Sequence, residues 1–426
     1  MNTFSVITLG CKLNIYESES ISGALISDGY VKSDDFSKSG LVVVNTCTVT
    51  SRADSKCRNI IRRVKKINPN CILVATGCLV DTDYKTLKEI PEIDVFIGNK
   101  SKDKITDALK KIDNNNKKAF LYKSELDGRF NFFQSQNSKR SRGFVKIQDG
   151  CDNYCSYCKI PFARGNNVSR EIKDIFSEIE LLASNGYKEI VFTGINIGSY
   201  NNSGRNFSAF LDETSKNFRE IRFRLGSIEP QYIDSDFISA FTNDNICPHI
   251  HISLQSGSDA ILKSMNRRYD IKSFKNIVGN IKKSRDNIFL STDLIVGFPG
   301  ETDTDFENSK NLIEEIGFSY VHLFTFSPRE GTAAYTMSGK VADGVVENRM
   351  NKLENIVTKL NYNYKRSNIG RILKVLIERS KNNNITGKSE NYLDIIVKTN
   401  LTLERKSIYE VKVVDMIDGN LYGELK

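Results

Sequence analysis

Cys151-Asp152-Asn153-Tyr154-Cys155-Ser156-Tyr157-Cys158 gathers three cysteines into one short loop, and no fourth follows nearby. A cubane [4Fe–4S] cluster normally takes four cysteines, so a set of three leaves one iron open to a substrate or cofactor. The competing reading is a structural zinc site, which needs a fourth protein ligand. The nearest downstream histidine is His249, far along the chain, so the spacing favours iron.

Working outward from the loop, apolar runs at 144–148, 189–193, 221–225, 250–254, 291–296 and 321–326 alternate with helical patterns at 170–184, 259–265, 272–283 and 304–316. Gly186 and Gly317 stand where a helix end needs a left-handed residue. About six β/α units suit an incomplete TIM-like barrel, since a full one has eight. Upstream, runs at 4–9, 41–45, 72–76 and 94–97 alternate with helical patterns at 16–27 and 52–66, which predicts a doubly wound parallel sheet. A polar, basic stretch at 113–141 reads as a linker region. Downstream, an amphipathic helix at 345–363 leads to alternating strands from 371 to 426, which predicts a small antiparallel β-barrel. The expected fold class is therefore α/β, with boundaries at 1–112, 113–141, 142–364 and 365–426.

The other six cysteines sort by position on these strands. Cys11, Cys47 and Cys78 each stand just past the carboxyl end of a predicted parallel strand, where open α/β sheets place their ligands. Each alone would serve as a small buried packing residue. Together they would supply three thiolates at one crevice, enough for a second cluster with one open iron. Cys71 starts the third strand, about 23 Å from Cys78 at about 3.3 Å per residue. That distance excludes Cys71 from the crevice; Cys57 lies in the basic helix, remote from the crevice, and Cys247 precedes a barrel strand, so both are read as packing residues.

Composition narrows the class. The chain has 426 residues, 39% hydrophobic and 27% charged, ordinary for a globular protein of two or three domains. No run of eighteen apolar residues exists, so no membrane partner is expected, and the amino terminus reads as lacking a signal peptide. The expectation is a cytoplasmic protein, where nine cysteines argue for metal or redox work rather than disulfides. A net charge of +9 suits a polyanionic partner or a solubilising surface.

The cysteine loop, followed by Lys159-Ile160-Pro161-Phe162 and Arg170, resembles the radical S-adenosylmethionine (SAM) superfamily. Over nearly its whole length the chain resembles that superfamily's methylthiotransferases. The segments that carry the likeness are Gly10–Asn14, 45–50, 76–78, the cysteine loop, 160–165, 251–258, 265–268 and 297–302. The resemblance implies a radical SAM barrel, a C-terminal RNA-binding (TRAM) barrel, SAM and two [4Fe–4S] clusters. Cys151, Cys155 and Cys158 would hold the cluster that cleaves SAM to a 5′-deoxyadenosyl radical. Cys11, Cys47 and Cys78 would hold the one that delivers sulfur. No catalytic side chain is implied beyond these ligands.

Three subfamilies compete: one acts on N6-threonylcarbamoyladenosine beside the tRNA anticodon, one on isopentenyladenosine there, and one on a ribosomal-protein aspartate. Gly10-Cys11-Lys12-Leu13-Asn14 with Tyr16-Glu17-Ser18 looks most like the first. Thr193 and Gly194 resemble the superfamily's contact to the SAM amino group. Arg268 would meet the SAM carboxylate, and Gly297 and Gly300 would let backbone approach the nucleoside. Ordinary turn and surface roles would explain the same residues. The implied partners are tRNA, an electron donor and a sulfur source. Arg58, Arg62, Arg63, Lys65 and Lys66, and Lys139–Arg142, are candidates for tracking phosphates. In the C-terminal barrel Tyr392 is a stacking or packing residue. His249, His251 and His322 are expected to fill the barrel as polar residues.

Overall fold

This computed structural model describes residues 2–112, 120–122, 130, 140–381 and 384–426. They form two compact units. The first comprises Met1–Lys139, Asp149–Val168 and Ser327–Tyr335; the second comprises Arg140–Gln148, Ser169–Phe326 and Thr336–Lys426. Among the described residues no helix is long and apolar enough to cross a membrane.

The first unit is built on strands β1 (Thr3–Thr8), β2 (Val31–Lys32), β3 (Leu41–Thr46), β4 (Ile72–Gly77), β5 (Val95–Ile97) and β6 (Phe120–Tyr122). They run in the order β2-β1-β3-β4-β5-β6 with every pair parallel. Helices α1 (Lys12–Ser27), α2 (Ser51–Ile67), α3 (Cys78–Leu87) and α4 (Ile105–Lys110) connect them. The alternation of β3 shows why both faces are covered. Val42 and Val44 pack with Ile61 and Val64 of α2 and Leu79 of α3. Leu41 and Val43 pack with Ile21 and Leu25 of α1 and Ile105 of α4. Successive strand residues point to opposite faces, so an all-apolar strand needs helices on both sides. Strand β6 falls inside the stretch read as a linker; most of that stretch, including Lys139, lies outside the described residues.

In the second unit, β7 (Gly143–Lys146), β8 (Glu189–Thr193) and β9 (Arg222–Arg224) form one parallel sheet. Strands β10 (Ser227–Ile228), β11 (His249–Ile252), β12 (Phe289–Val296) and β13 (Tyr320–Thr325) form a second. A parallel bridge from Phe223 to Ile246 joins the two. Strand order thus follows chain order, and among the described residues β13 does not return to β7. The six expected strands are present and the barrel is open. Two helices escaped sequence reading, Phe207–Asn217 and Ser235–Phe241. The first is capped by the Asn206 side chain, which accepts the Ala209 N–H at 2.9 Å, and its buried stripe includes the polar Thr214. The second has seven residues, too few to show a period.

A long helix, Asp343–Arg366, precedes five strands that close into a barrel: β14 (Ile372–Lys381), β15 (Asn384–Ser389), β16 (Asp394–Lys398), β17 (Ile408–Ile417) and β18 (Asn420–Leu425). All pairs are antiparallel except β16 with β18, whose parallel pairing closes the ring. Val375, Ile377, Ile395, Val397, Val411 and Leu421 fill it. Within the same unit Glu189 fastens Arg222 and Arg224 in the parallel sheet. Arg222 then donates to the carbonyl of Lys374 at 2.6 Å, and Arg224 to those of Ser389 and Glu390, each at 3.0 Å.

Candidate iron–sulfur and nucleoside sites

In the first unit, β1 and β3 are neighbours although the chain visits β2 between them. This is the point where strand order reverses and where such sheets bind their ligands. Cys11 follows β1 and immediately precedes α1, Cys47 follows β3, and Cys78 follows β4 as the first residue of α3. Helix amino termini carry partial positive charge, which favours thiolates and an anionic cluster. Gly10 permits the approach: at φ +100°, a Cβ there would lie 2.7 Å from the Cys47 Cβ and 2.8 Å from its Sγ. Asn14 ties the two loops by donating to the carbonyls of Leu9 at 2.7 Å and Thr46 at 2.9 Å. Burial pushes the Cys47 thiol up to about 12, with Cys78 and Cys11 adding to the push, and burial raises the Cys78 thiol too. A metal that takes these ligands must displace their protons. Strand-end thiols, helix termini and the glycine cradle all fit an iron–sulfur cluster.

Cys57 corrects the sequence reading. It is not remote from the crevice: its thiol accepts the Cys47 N–H and donates to the Cys47 carbonyl, each at 3.4 Å, so it props the backbone of that residue. Cys71, at the start of β4, stays at the far end of that strand from Cys78. Lys65, expected to track phosphate, instead donates to the Cys71 carbonyl at 2.7 Å and pairs with Asp94 at 2.9 Å. Arg62, Arg63 and Lys66 remain exposed on α2.

The Cys151–Cys158 loop belongs to this same unit. Gly150 starts it at φ +72°, where a Cβ would sit 1.9 Å from the Asn166 carbonyl. The Cys151 N–H donates to the Gly165 carbonyl at 3.1 Å and the Cys158 N–H to that of Cys155 at 3.0 Å. The segment after β13 braces the loop, the Ala334 N–H donating to the Ser156 carbonyl at 2.7 Å. That segment also carries Arg329, which pairs with Asp54 of α2 at 2.7 Å and hydrogen-bonds Thr48, beside Cys47.

Arg164 stands just after the cysteine loop in sequence and reaches Cys78 of the other triad. It ends the short helix Ile160–Arg164 that follows the loop, and its side chain is fully buried. Its Nε donates to the Cys78 Sγ at 3.2 Å, Nη1 to Glu17 at 2.7 Å and Asp149 at 3.1 Å, and Nη2 to Asn14 at 3.0 Å. Lys102 also pairs with Glu17. Two cations and two carboxylates are thus buried in balance beside Cys78. Spacing in the sequence cannot show which charge the Arg164 side chain reaches, so its role is visible only in the fold.

In the second unit Thr193 ends β8, buried, with its carbonyl accepting the Ile147 N–H at 3.0 Å. A Cβ on Gly194 would lie 2.9 Å from the Gln148 carbonyl, so only glycine fits. Gly297 and Gly300 have φ of +79° and +84°. The Gly297 N–H donates to Glu301 at 2.8 Å, and Arg349 holds that carboxylate at 2.6 Å. This turn is therefore fixed by its own charges. Arg268 is exposed, whereas its neighbour Arg267 is buried against Glu229 and packs over the Tyr269 ring. His249 and Tyr392 pack against each other at 4.2 Å, and Arg224 and Lys388 lie over the Tyr392 ring, so Tyr392 is a packing residue. His251 and His322 instead meet at Asp293, with the three ligating atoms all within 4.8 Å of one another.

Residues 145–313 match the radical SAM superfamily, and residues 3–98 match the uncharacterized protein family UPF0004. The chain is 35% identical over 384 residues to the threonylcarbamoyladenosine tRNA methylthiotransferase MtaB of Thermotoga maritima, covering 89% of this chain and 87% of that protein. It is 32% identical over 436 residues to the tRNA-2-methylthio-N(6)-dimethylallyladenosine synthase of Clostridium tetani, covering 99% and 96%. Among solved structures, the radical SAM methyltransferase TsrM of Kitasatospora setae with cobalamin and a [4Fe-4S] cluster bound superposes with a TM-score of 0.59 at 15% identity, covering 78% of this chain and 76% of that one. That likeness is one of fold. The chain belongs to the tRNA methylthiotransferase family of radical SAM enzymes.

Proposed function

We propose that this protein converts N6-threonylcarbamoyladenosine beside the tRNA anticodon to its 2-methylthio derivative. The observation that carries the reading is the placement of both cysteine triads in one compact unit, with Arg164 of the helix after the loop donating to Cys78. Cys151, Cys155 and Cys158 would hold the [4Fe–4S] cluster that takes SAM, and Cys11, Cys47 and Cys78 a second. When bound, these groups supply one-electron reduction, a carbon-centred radical initiator and a sulfur carrier. The chain's own part is positional. Helix termini and Arg164 offset the negative charge of thiolates, Gly10 and Gly77 let the loops close, and Cys57 holds the Cys47 backbone. Thr193 and Gly194 would receive the SAM amino group, with Gly297 and Gly300 beside its nucleoside. Arg268 would meet the SAM carboxylate, since its buried neighbour Arg267 is already paired with Glu229. The relatives named for threonylcarbamoyladenosine favour that substrate over the dimethylallyl one. The electron donor and sulfur source are separate molecules, and the place of action is the cytoplasm, where tRNA is modified.

Nucleoside mass spectrometry of bulk tRNA with and without the protein tests the substrate. Loss of only the 2-methylthio dimethylallyl nucleoside would overturn it. In Cys78→Ala protein, iron should fall from about eight to about four per chain, as expected for two four-iron clusters. Unchanged iron would remove the second triad from the reading.

A further inference from the structure

TIM-type barrels fill their interior with bulky branched side chains. The second unit departs from this on one sector. Leu290, Leu294 and Val296 of β12 and Val321 of β13 are buried in the core with Phe274, Val278, Leu312 and Ile313 of the covering helices. Strand residues alternate between faces, so Ser291, Asp293 and His322 share the opposite, inner face with His251 of β11. Register sets them side by side: Asp293 pairs with His322, and Ser291 with His251. The His251 Nδ1 lies 3.1 Å from the Ser291 Oγ, and its Nε2 lies 3.1 Å from the Asp293 carboxylate. His251 is buried, the Asp293 side chain is 27% exposed, and His322 is exposed. The cluster is therefore closed at its back and open at its mouth, and it offers both donors and acceptors. Asp293 lies on β12, which Gly297 follows directly. Asp293 stands four positions before that glycine, about 13 Å at about 3.3 Å per residue, so the cluster sits deeper in the barrel than the strand ends.

We propose that Asp293 and His322, oriented by His251, form the subsite for the polar N6 substituent of the adenosine, a carboxylate-bearing ureido group, and select it over an apolar substituent. This rests on the reading that the chain acts on an N6-modified adenosine. The Asp293 carboxylate accepts a ureido N–H or the side-chain hydroxyl. His322 donates to the substituent's carboxylate. His251 is a positioning residue, held by Ser291 with its Nε2 3.1 Å from the Asp293 carboxylate. An apolar dimethylallyl group in the same place would take water from these groups and offer no hydrogen bond in return, which is how a hydrogen-bonding pocket discriminates strongly.

The test uses the full-length protein and two anticodon stem-loops that differ only in the N6 group, threonylcarbamoyl or dimethylallyl. Binding is measured at equilibrium, separately from turnover. Wild type should prefer the threonylcarbamoyl stem-loop, and His322→Phe should weaken that binding by about 10- to 100-fold and erase the preference. His322→Gln, which keeps a donor, should retain most of it. Melting curves and iron content establish that each variant is folded and loaded. A preference unchanged in His322→Phe overturns the subsite, as does equal weakening on both RNAs. A bound divalent ion in wild type that is lost with His322 also overturns it, in favour of a metal centre. Binding preference with no methylthio product from either RNA would instead refute the proposed function and leave the subsite standing.

Discussion

Replacing Arg164 by methionine isolates the contribution of the charge set beside Cys78. Methionine has similar length and no charge, so packing changes little while Glu17 and Asp149 lose their shared partner. Arg164 is fully buried, as is Asp149, and the Glu17 side chain is 6% exposed. Lys102 can still balance Glu17, whereas Asp149 loses the guanidinium that meets it at 3.1 Å. Removing one partner of a buried pair costs about 3–5 kcal/mol, chiefly because the remaining charge stays desolvated. With about 2–4 °C per kcal/mol for a unit of this size, the melting temperature should fall by roughly 10 °C. Arg164→Lys restores a charge without the fork that reaches Asn14 and Cys78, so it should recover part of the loss. Differential scanning calorimetry on the three proteins reads both values. A methionine variant melting within about 1 °C of wild type would refute the reasoning, since surface-like pairs cost that little.

Glu189→Gln should destabilise the second unit by about 3–5 kcal/mol, because Arg222 and Arg224 would be buried without a counter-charge. Burial alone would raise the Glu189 carboxyl, but Arg222 and Arg224 outweigh it and bring it down to about 2. Its contribution is therefore present above the usual value of 4.5 and lost as pH falls through about 2, and the acid limb of urea-denaturation stability should flatten in the variant. Gly10→Ala forces a side chain onto Cys47 at a left-handed φ, so iron bound by the first unit should drop by about half, read by colorimetric iron analysis. Affinity for tRNA should fall steeply with salt, by about 10³-fold or more between 50 and 200 mM if at least six phosphates are contacted. A flat salt profile would remove Arg62, Arg63 and Lys66 as phosphate contacts.

What was legible in the sequence was local. Strand alternation located the parallel sheets, and the glycine and cysteine positions at strand ends pointed to a shared crevice, because period-2 and period-3.6 patterns carry that information directly. Helix Phe207–Asn217 was hidden because a buried threonine breaks its apolar stripe. Cys57 was misplaced because α2 starts only a few residues past the end of β3, so its first turns stay beside Cys47 at that strand end. Arg164, Arg329 and the His251–Asp293–His322 set depend on contacts between residues far apart in sequence, and no spacing rule reveals which long side chain reaches which buried charge.

The Ser327–Tyr335 segment has a consequence for biosynthesis. Thr48 and Arg329 meet across 281 positions of chain. At about 5–20 residues per second, a ribosome needs roughly 15–55 s after making Asp54 before its cation exists. During that interval Cys11, Cys47 and Cys78 have left the ribosome while the braces at Thr48 and Ser156 are still unmade. The brace on the Thr48 loop is therefore among the last contacts of the first unit to form, after the strands of the open barrel have been synthesised.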